Sequence, residues 1–207
     1  MNIAKPSKGL FDVSRETVRR LEHYLAETRK WSAKINLISS SSQEDAWQRH
    51  IVDSAQLWRL CQKTSGTWLD LGSGGGFPAL VNAVIALEQA PDLKFLCVES
   101  DGRKSVFLQK IIQTYGLNAT VLNARIQDIS PVSADIVSAR AFSPLAQIFK
   151  VAFDHINSGT VFLLPKGRTY HDELTESQKG WSFEYEAVPS ITNAESAVLV
   201  VKDLKRG

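Results

Sequence analysis

Apolar residues follow two different spacings along the chain, and the change falls close to residue 63. From Ser14 to Trp31 they recur every three or four residues, and Ser14 can cap the first turn, which predicts an amphipathic helix. The same spacing predicts a second amphipathic helix from Ser42 to Leu60. Residues 1–62 are therefore expected to form a helical extension that packs on a main domain of residues 63–207.

In the main domain, short apolar strands alternate with amphipathic helices. The predicted strands are 67–71, 94–99, 119–123, 134–138 and 160–164, and the predicted helices are 78–89, 103–115, 144–155 and 171–179. Trp181 to Ala187 and Ala197 to Lys202 are predicted to form a last, antiparallel hairpin. This order of elements indicates an α/β fold, with a mostly parallel seven-stranded sheet and helices on both of its faces.

A glycine-rich turn, LDLGSGGGFPAL, joins the first predicted strand to its helix. Gly72 and Gly74 allow the backbone to adopt positive φ and to approach a ligand without a Cβ in the way. Pro78 suits the first turn of a helix, where its missing N–H costs nothing. A ligand at this turn would meet free backbone N–H groups and the positive end of a helix dipole, so the segment is typical of a nucleotide-binding loop.

Two acidic residues indicate which nucleotide the loop binds. Gly74 to Ala79 formally matches the dinucleotide fingerprint GxGxxA, but that pattern leaves Asp70 at the end of the strand unexplained. Glu99 ends the next strand, where a carboxylate can accept hydrogen bonds from both ribose hydroxyls. The spacing D-x-G-x-G-x-G from Asp70 to Gly76 resembles the first motif of Rossmann-like, class I S-adenosylmethionine-dependent methyltransferases. In those enzymes the acidic residue lies beneath the methionine part of the cofactor.

Composition places the chain among soluble proteins of a reducing compartment. None of its apolar runs approaches the ~20 residues of a membrane span, and the first ten residues lack the apolar core of a signal peptide. Cys61 and Cys97 are the two cysteines, and Cys97 lies in an apolar strand pattern, so buried free thiols are expected rather than a disulfide or a metal site. We therefore expect a cytoplasmic protein.

The net charge of +2 is unevenly distributed. Lysines and arginines exceed acidic residues in the first predicted helices, which suits either a nucleic-acid surface or a solvated helix face. The basic residues concerned are Arg15, Arg19, Arg20, Arg29, Lys30 and Lys34. Charge alone favours neither interpretation.

Six segments occur in the order found in one known family. They are WSAKINL (31–37), RHIVDS (49–54), LDLGSGGGFP (69–78), VES with RKSVFL (98–108), SARAFSPL (138–145) and LLPKG (163–167). Together they resemble the RsmG (GidB) family. The resemblance implies a bacterial enzyme that transfers a methyl group from S-adenosylmethionine to N7 of a guanine in small-subunit (16S) ribosomal RNA.

The resemblance also implies a set of cofactor-binding residues. They are Asp70, Gly72, Gly74, Phe77, Glu99, Ile126, Gln127 and Arg140. Ile126 and Gln127 correspond to the segment that holds the adenine, although the family usually has Glu at the position of Gln127. Arg140 corresponds to an arginine beside the amino-acid end of the cofactor, and the alternative for it is an ordinary surface ion pair.

His50, Arg125 and Lys166 are the candidate contacts to the RNA. His50 and Asp53 lie three residues apart on one predicted helix, so a structural His50–Asp53 hydrogen bond is the alternative to a role beside the substrate. Lys166 follows a strand, where it is either simply exposed or binds a phosphate. We expect no catalytic residue, because guanine N7 carries a free lone pair and no proton. We also expect no metal, and we expect a monomer.

Two other classes of function share some of these features. A methyltransferase of another RNA or of a small molecule would have the same loop, but it would not account for the RH-x-x-DS and SARAF segments. A non-catalytic nucleotide-binding or RNA-binding protein is the second alternative. The partners expected from the resemblance are small-subunit ribosomal RNA, the ribosomal subunit or its precursor, without a membrane.

Overall fold

The computed structural model describes residues 12–39 and 42–207. Seven strands form one sheet: β1 (Ser65–Leu71), β2 (Asp92–Val98), β3 (Ala119–Leu122), β4 (Ala134–Ala139), β5 (Ile156–Lys166), β6 (Trp181–Pro189) and β7 (Ala197–Arg206). The α-helices are α1 (Arg15–Ser32), α2 (Asp53–Ala55), α3 (Ala79–Gln89), α4 (Gly102–Tyr115), α5 (Leu145–Ala152) and α6 (Tyr170–Ser177).

The strand order in the sheet is β3-β2-β1-β4-β5-β7-β6. The first five strands are mutually parallel, and β7 pairs antiparallel with both β5 and β6. The mostly parallel seven-stranded sheet and its closing hairpin are thus confirmed. From β1 the chain builds outward through β2 and β3, then returns to place β4 on the other side of β1. Such a reversal opens a crevice at the carboxyl ends of the two central strands, where α/β proteins bind ligands.

Helices cover both faces of the sheet. The face under α1, α3 and α4 is filled by a cluster that includes Leu21, Tyr24, Trp68, Phe95 and Phe107. The face under α5 and α6 is filled by a second cluster that includes Leu69, Leu71, Phe149, Phe162 and Leu174. Because side chains alternate along a strand, Asp70 lies on the same face as Trp68, towards α1 and α3.

The N-terminal extension begins as its pattern predicts. The Ser14 side chain accepts a hydrogen bond from the Thr17 amide at 3.2 Å and caps α1. Leu21, Tyr24 and Leu25 of this helix are buried in the same cluster as the strand residues. The extension is therefore part of the hydrophobic core that supports the sheet.

The second predicted helix begins later and is less regular than its sequence pattern indicates. A π-helical segment, Trp47–Val52, leads into α2, and a 3₁₀ segment, Gln56–Leu60, follows it. We call these three segments the helical run 47–60. Ser42 lies outside the helix because its hydroxyl donates to the Ser39 carbonyl at 2.8 Å. Irregular turns of this kind often occur at functional sites.

Smaller differences affect the ends of other elements. The predicted helix that starts at residue 78 begins at Ala79, with Pro78 as its N-cap residue. The fifth strand extends over Ile156–Lys166 instead of 160–164, because it also pairs with β7 at its carboxyl end. The last strand continues to Arg206, paired with β6.

Candidate functional site

Strand register brings the predicted cofactor residues to one edge of the sheet. Asp70 pairs with Ser138 of β4, and Leu71 pairs with Val98 of β2. The residues that follow the neighbouring strands, Glu99 and Arg140, therefore flank the glycine loop after β1. Glu99 reaches the loop directly: its Oε2 accepts a hydrogen bond from the Gly74 amide at 2.8 Å.

The loop itself requires glycine at two positions. Gly72 and Gly74 have φ of +67° and +56°, in the left-handed region that residues with a Cβ rarely adopt. Of the described atoms, only the Gly72 carbonyl oxygen would lie near a Cβ on Gly74, at 3.8 Å, so that side of the loop is open within the described part of the chain. A Cβ on Gly72 would lie 2.5 Å from the Phe142 ring. The backbone thus forms a bare cradle in front of the sheet.

Glu99 is held in place by backbone donors. Besides the Gly74 amide, it accepts a hydrogen bond from the Asp101 amide, through Oε1 at 2.8 Å, and it is 7% exposed. Asp101 in turn caps the N-terminus of α4. Each carboxylate oxygen has two lone pairs, so both can still accept a hydrogen bond from a ligand hydroxyl.

Asp70 is a buried carboxylate beneath the loop. Its Oδ1 accepts a hydrogen bond from the Ser138 hydroxyl at 2.5 Å, and that hydroxyl accepts one from the Trp68 indole at 2.8 Å. Its Oδ2 is buried and has no hydrogen-bond partner among the described residues. Burial raises the pKa of Asp70 to about 6. A buried acceptor without a partner is costly unless a ligand completes it.

Arg140 is partly buried, with a side chain that is 19% exposed, and it contacts three residues of the protein. Its Nη1 donates to the Arg49 carbonyl at 2.8 Å and lies 3.4 Å from Asp53 Oδ2, while Nη2 donates to His50 Nδ1 at 2.8 Å. The end of β4 is thereby fastened to the helical run 47–60. Burial lowers the pKa of Arg140, but nearby Asp53 opposes this shift.

The spacing of His50 and Asp53 suggested a hydrogen bond between them, but His50 instead contacts Arg140 and Ser42. Because Arg140 donates to Nδ1, the ring proton is on Nε2, which is 3.0 Å from the Ser42 hydroxyl. Asp53 instead accepts a hydrogen bond from Thr192 at 2.8 Å. Burial, together with nearby Arg140, lowers the pKa of His50 to about 4, so the imidazole is neutral at physiological pH.

Phe77 supports the loop from within the core. Its ring is 4% exposed and stacks on Tyr24 with a centroid separation of 5.4 Å. His50 lies 5.0 Å away between ring centroids, and the Arg140 guanidinium carbon lies 5.2 Å from the Phe77 centroid. The Tyr24 hydroxyl donates to the Gly75 carbonyl at 2.5 Å. The aromatic cluster therefore fixes the backbone of the loop.

The segment after β3 carries three further predicted residues. Ile126 is buried, while Arg125 and Gln127 on either side of it are exposed. A 3₁₀ turn spans Ile126–Asp128. The turn packs against α5 through buried Ile126, and Gln127 beside it is exposed.

Lys166 forms contacts within the protein. One of the two alternatives from the sequence was a simply exposed lysine, and the structure does not show that. Its ammonium lies 2.7 Å from Glu173 Oε2 and donates to the Ser143 carbonyl at 2.9 Å, and its side chain is 8% exposed. Any phosphate would have to share this ammonium with Glu173. Lys166 as an RNA contact stays a prediction.

Four residues of this region were not singled out as functional by the sequence. Tyr24 and Ser138 support the loop and Asp70, while Phe142 and Glu173 line an open pocket of about 340 Å³ beside β4 and β5. Phe142 lies in the SARAFSPL segment, so its position was visible, but its neighbours become evident only in three dimensions.

Within residues 12–39 and 42–207, no three His, Cys, Asp or Glu side chains come together as metal ligands. The helices of the same residues are too short or too polar to cross a bilayer.

Comparisons with known proteins agree on one family. A family model described as rRNA small subunit methyltransferase G matches residues 17–200. A ribosomal RNA small subunit methyltransferase G from Cereibacter sphaeroides is 46% identical over 191 residues, 92% of this chain and 92% of that protein. Its namesake from Ruegeria pomeroyi is 42% identical over 201 residues, 97% of this chain and 98% of that protein.

Solved structures agree on the fold. A SAM-dependent methyltransferase from Aquifex aeolicus superposes with a TM-score of 0.59 at 12% identity, covering 86% of this chain and 96% of that chain. TYW2 of M. jannaschii in complex with AdoMet has a TM-score of 0.56 at 15% identity, covering 84% of this chain and 80% of that chain. At such low identity the likeness supports the architecture alone.

Proposed function

The chain belongs to the rRNA small subunit methyltransferase G family, and on that premise we propose that it methylates N7 of a guanine in 16S ribosomal RNA. It is an S-adenosylmethionine-dependent methyltransferase of ribosomal RNA. The observation that carries the proposal is the bare glycine cradle at the reversal of strand order, with Asp70 beneath it and Glu99 beside it. The helical run 47–60 carries the family segment RHIVDS, and Arg140 joins this run to the same edge by hydrogen bonds.

The residues present fit S-adenosylmethionine. Asp70 offers a buried oxygen that no described residue of the chain bonds, beneath the methionine position, and Glu99 retains lone pairs for the ribose hydroxyls. The backbone at Ile126 and Gln127 suits the adenine. When bound, the cofactor supplies a methyl group already activated on a sulfonium, so the protein's task is chiefly to hold the reacting atoms in line. Such positioning can contribute ~7–11 kcal/mol.

The neighbouring protein groups support a reaction without a general base. Both ring nitrogens of His50 are hydrogen-bonded within the protein, and Arg140 is already bound to backbone and side-chain acceptors. Neutral guanine N7 has no proton to remove, so its lone pair can attack directly. His50 then acts by positioning Arg140 and the helical run, not by proton transfer.

The RNA must present the guanine outside a regular helix. N7 in A-form RNA faces a deep, narrow groove that protein side chains do not enter, so the base must be unstacked or lie in an open loop. Exposed basic side chains of the N-terminal extension and Arg125 beside the adenine segment are our candidates for contacting the surrounding phosphates. We infer that a monomer acts in the cytoplasm on the subunit RNA, free or in a precursor.

Product analysis tests the proposal. Purified protein is incubated with labelled S-adenosylmethionine and either unmodified 16S RNA or small subunits, and the RNA is digested to nucleosides for mass spectrometry. We expect 7-methylguanosine, and a single-turnover rate that is flat from about pH 7 to 9 because no base titrates. A methyl group on a different atom would contradict N7, and a rising pH limb lost in His50→Gln would contradict the absence of a base.

A further inference from the structure

The chain turns sharply as it leaves β4 and places an aromatic ring at the crevice. Ala141 has φ of +50°, a conformation that residues with a Cβ rarely adopt and that active sites often retain. The next residue, Phe142, is 36% exposed. Among the described residues it is one of four large apolar side chains left exposed, with Val106, Tyr185 and Ile191.

Phe142 lies between the cofactor cradle and a pocket. On one side its ring packs against the bare backbone of Gly72, where an added Cβ would come within 2.5 Å. On the other side it lines the open pocket of about 340 Å³, together with Ala139, Pro165 and Lys166. A planar group in that pocket would lie beside the cradle and in reach of the ring.

The charged groups of the pocket are already balanced. Lys166 and Glu173 form an ion pair at 2.7 Å, and Glu173 also accepts the Leu145 amide at 2.8 Å. The lysine therefore does not present an uncompensated positive charge to a bound base. This leaves the aromatic face as the main group that could respond to charge on the base.

We propose that Phe142 stacks on the target guanine and stabilises the positive charge that forms on it, an inference that rests on the proposed function. In the transfer, the N7 lone pair forms the new N–CH₃ bond, the S–CH₃ bond breaks, and its electron pair goes to sulfur. No proton moves, and the positive charge passes from sulfur to the purine. The face of the Phe142 ring attracts a cationic guanine more strongly than it attracts a neutral one. The contact between Phe142 and the guanine therefore strengthens as the reaction proceeds.

This role separates Phe142 from a simple wall of the pocket. Stacking alone would bind the guanine before and after transfer equally and would leave the chemical rate unchanged. A charge-dependent contact instead lowers the barrier, and cation–π energies correspond to a rate effect of roughly tenfold. The prediction is therefore a change in the chemical step that depends on the electron density of the ring.

The experiment uses the full chain with phenylalanine analogues at position 142. Single-turnover methyl transfer is measured at saturating RNA and cofactor for the wild type, for mono-, di- and trifluorinated phenylalanine at position 142, and for Phe142→Leu. We expect the rate to fall with each added fluorine, which withdraws π density at nearly constant shape, and to fall about tenfold in Phe142→Leu. Tyr185→Leu, an exposed aromatic on β6, is the matched control and should keep the wild-type rate.

A second readout does not depend on turnover. In the presence of S-adenosylhomocysteine, calorimetry should show that the wild type binds 7-methylguanosine more tightly than guanosine, and that Phe142→Leu loses this preference. Rates that do not change with fluorination, or a loss confined to cofactor affinity, would overturn the proposal while leaving N7 methylation intact. A wild type that methylates an atom giving a neutral product would instead overturn the proposed function, and this inference with it.

Discussion

At the scale of single residues, the site depends on a carboxylate that the fold keeps out of water. Asp70 has one oxygen bonded to Ser138 and one with no partner among residues 12–39 and 42–207, and burial raises its pKa from 3.8 to about 6. The folded protein then binds the Asp70 proton more tightly than the unfolded chain does. Ionised Asp70 therefore lowers the free energy of unfolding, so this part of the site destabilises the fold.

Substituting Asp70 by Asn should remove one pH dependence of stability. Since the folded-state pKa is the higher one, the Asp70 contribution makes the wild type less stable as pH rises from about 4 to 6, and the loss is complete above that range. The stability of Asp70→Asn relative to wild type should grow by on the order of 3 kcal/mol between pH 4 and 7. Urea unfolding at several pH values measures this, and parallel curves for the two proteins would contradict it.

Gly74 should be needed for cofactor binding more than for folding. Gly74→Val places a branched side chain at φ of +56° and in the open space of the cradle. Gly116→Val is a matched control, because Gly116 has φ of +63° and no described atom lies within 4 Å of a Cβ added there, but Gly116 ends α4. Both variants should lose roughly 1–2 kcal/mol of stability, and Gly74→Val alone should lose S-adenosylhomocysteine binding in calorimetry. Wild-type affinity in folded Gly74→Val would remove the loop assignment.

At the scale of elements, Arg140 joins β4 to the helical run 47–60. Arg49 and His50 lie 91 and 90 positions from Arg140 in the sequence, and both accept hydrogen bonds from its guanidinium on one side of the crevice. Asp53 adds a charge, and Thr192 bonds to Asp53 from the connection between β6 and β7. Three separate parts of the chain are thus fixed around the cofactor edge by one side chain.

Arg140→Met should therefore loosen a whole segment. It removes the partly buried ion pair with Asp53 and the hydrogen bond to His50, a loss on the order of 2 kcal/mol. Arg103→Met is the control, since Arg103 pairs with Asp101 on the surface and its side chain is 73% exposed. Urea unfolding and amide hydrogen exchange of residues 47–60 measure the effect, and equal stability of the two variants would disprove the anchoring role.

At the scale of the whole molecule, the N-terminal extension and the sheet share one core. Leu21, Tyr24 and Leu25 are buried against residues such as Trp68 and Phe95. The Tyr24 hydroxyl also holds the glycine loop. The extension consequently supports the glycine loop of the proposed cofactor site, and it is also a candidate RNA surface.

We expect residues 63–207 not to fold cooperatively without the extension. Removing residues 1–62 exposes the apolar sides of α3 and α4 on which α1 packs, and it takes away the support of the loop. The full chain should unfold in one transition, with tryptophan fluorescence and far-ultraviolet circular dichroism coinciding. The shortened chain should instead show a broad transition and bind the dye ANS. A sharp transition with intact S-adenosylhomocysteine binding would show that the extension is a separate unit.

Local patterns predicted the fold well where the cause is local. The order of strands and helices, the Ser14 cap and the positive φ of Gly72 and Gly74 follow from spacing and from residue type. The helical run 47–60 was predicted with the wrong start and as a regular helix. Its start depends on Ser42 bonding back to Ser39, and its pattern of apolar residues does not show this.

The sequence by itself determined the architecture, the glycine turn after β1 and the family, because these depend on period, glycine placement and short motifs. Tertiary structure decided the partners of the charged and aromatic side chains. Arg140 meets His50, Lys166 meets Glu173, and Phe142 covers Gly72. Two of these pairs join residues 90 and about 70 positions apart, and such residues approach each other only when the sheet has set the register of its strands.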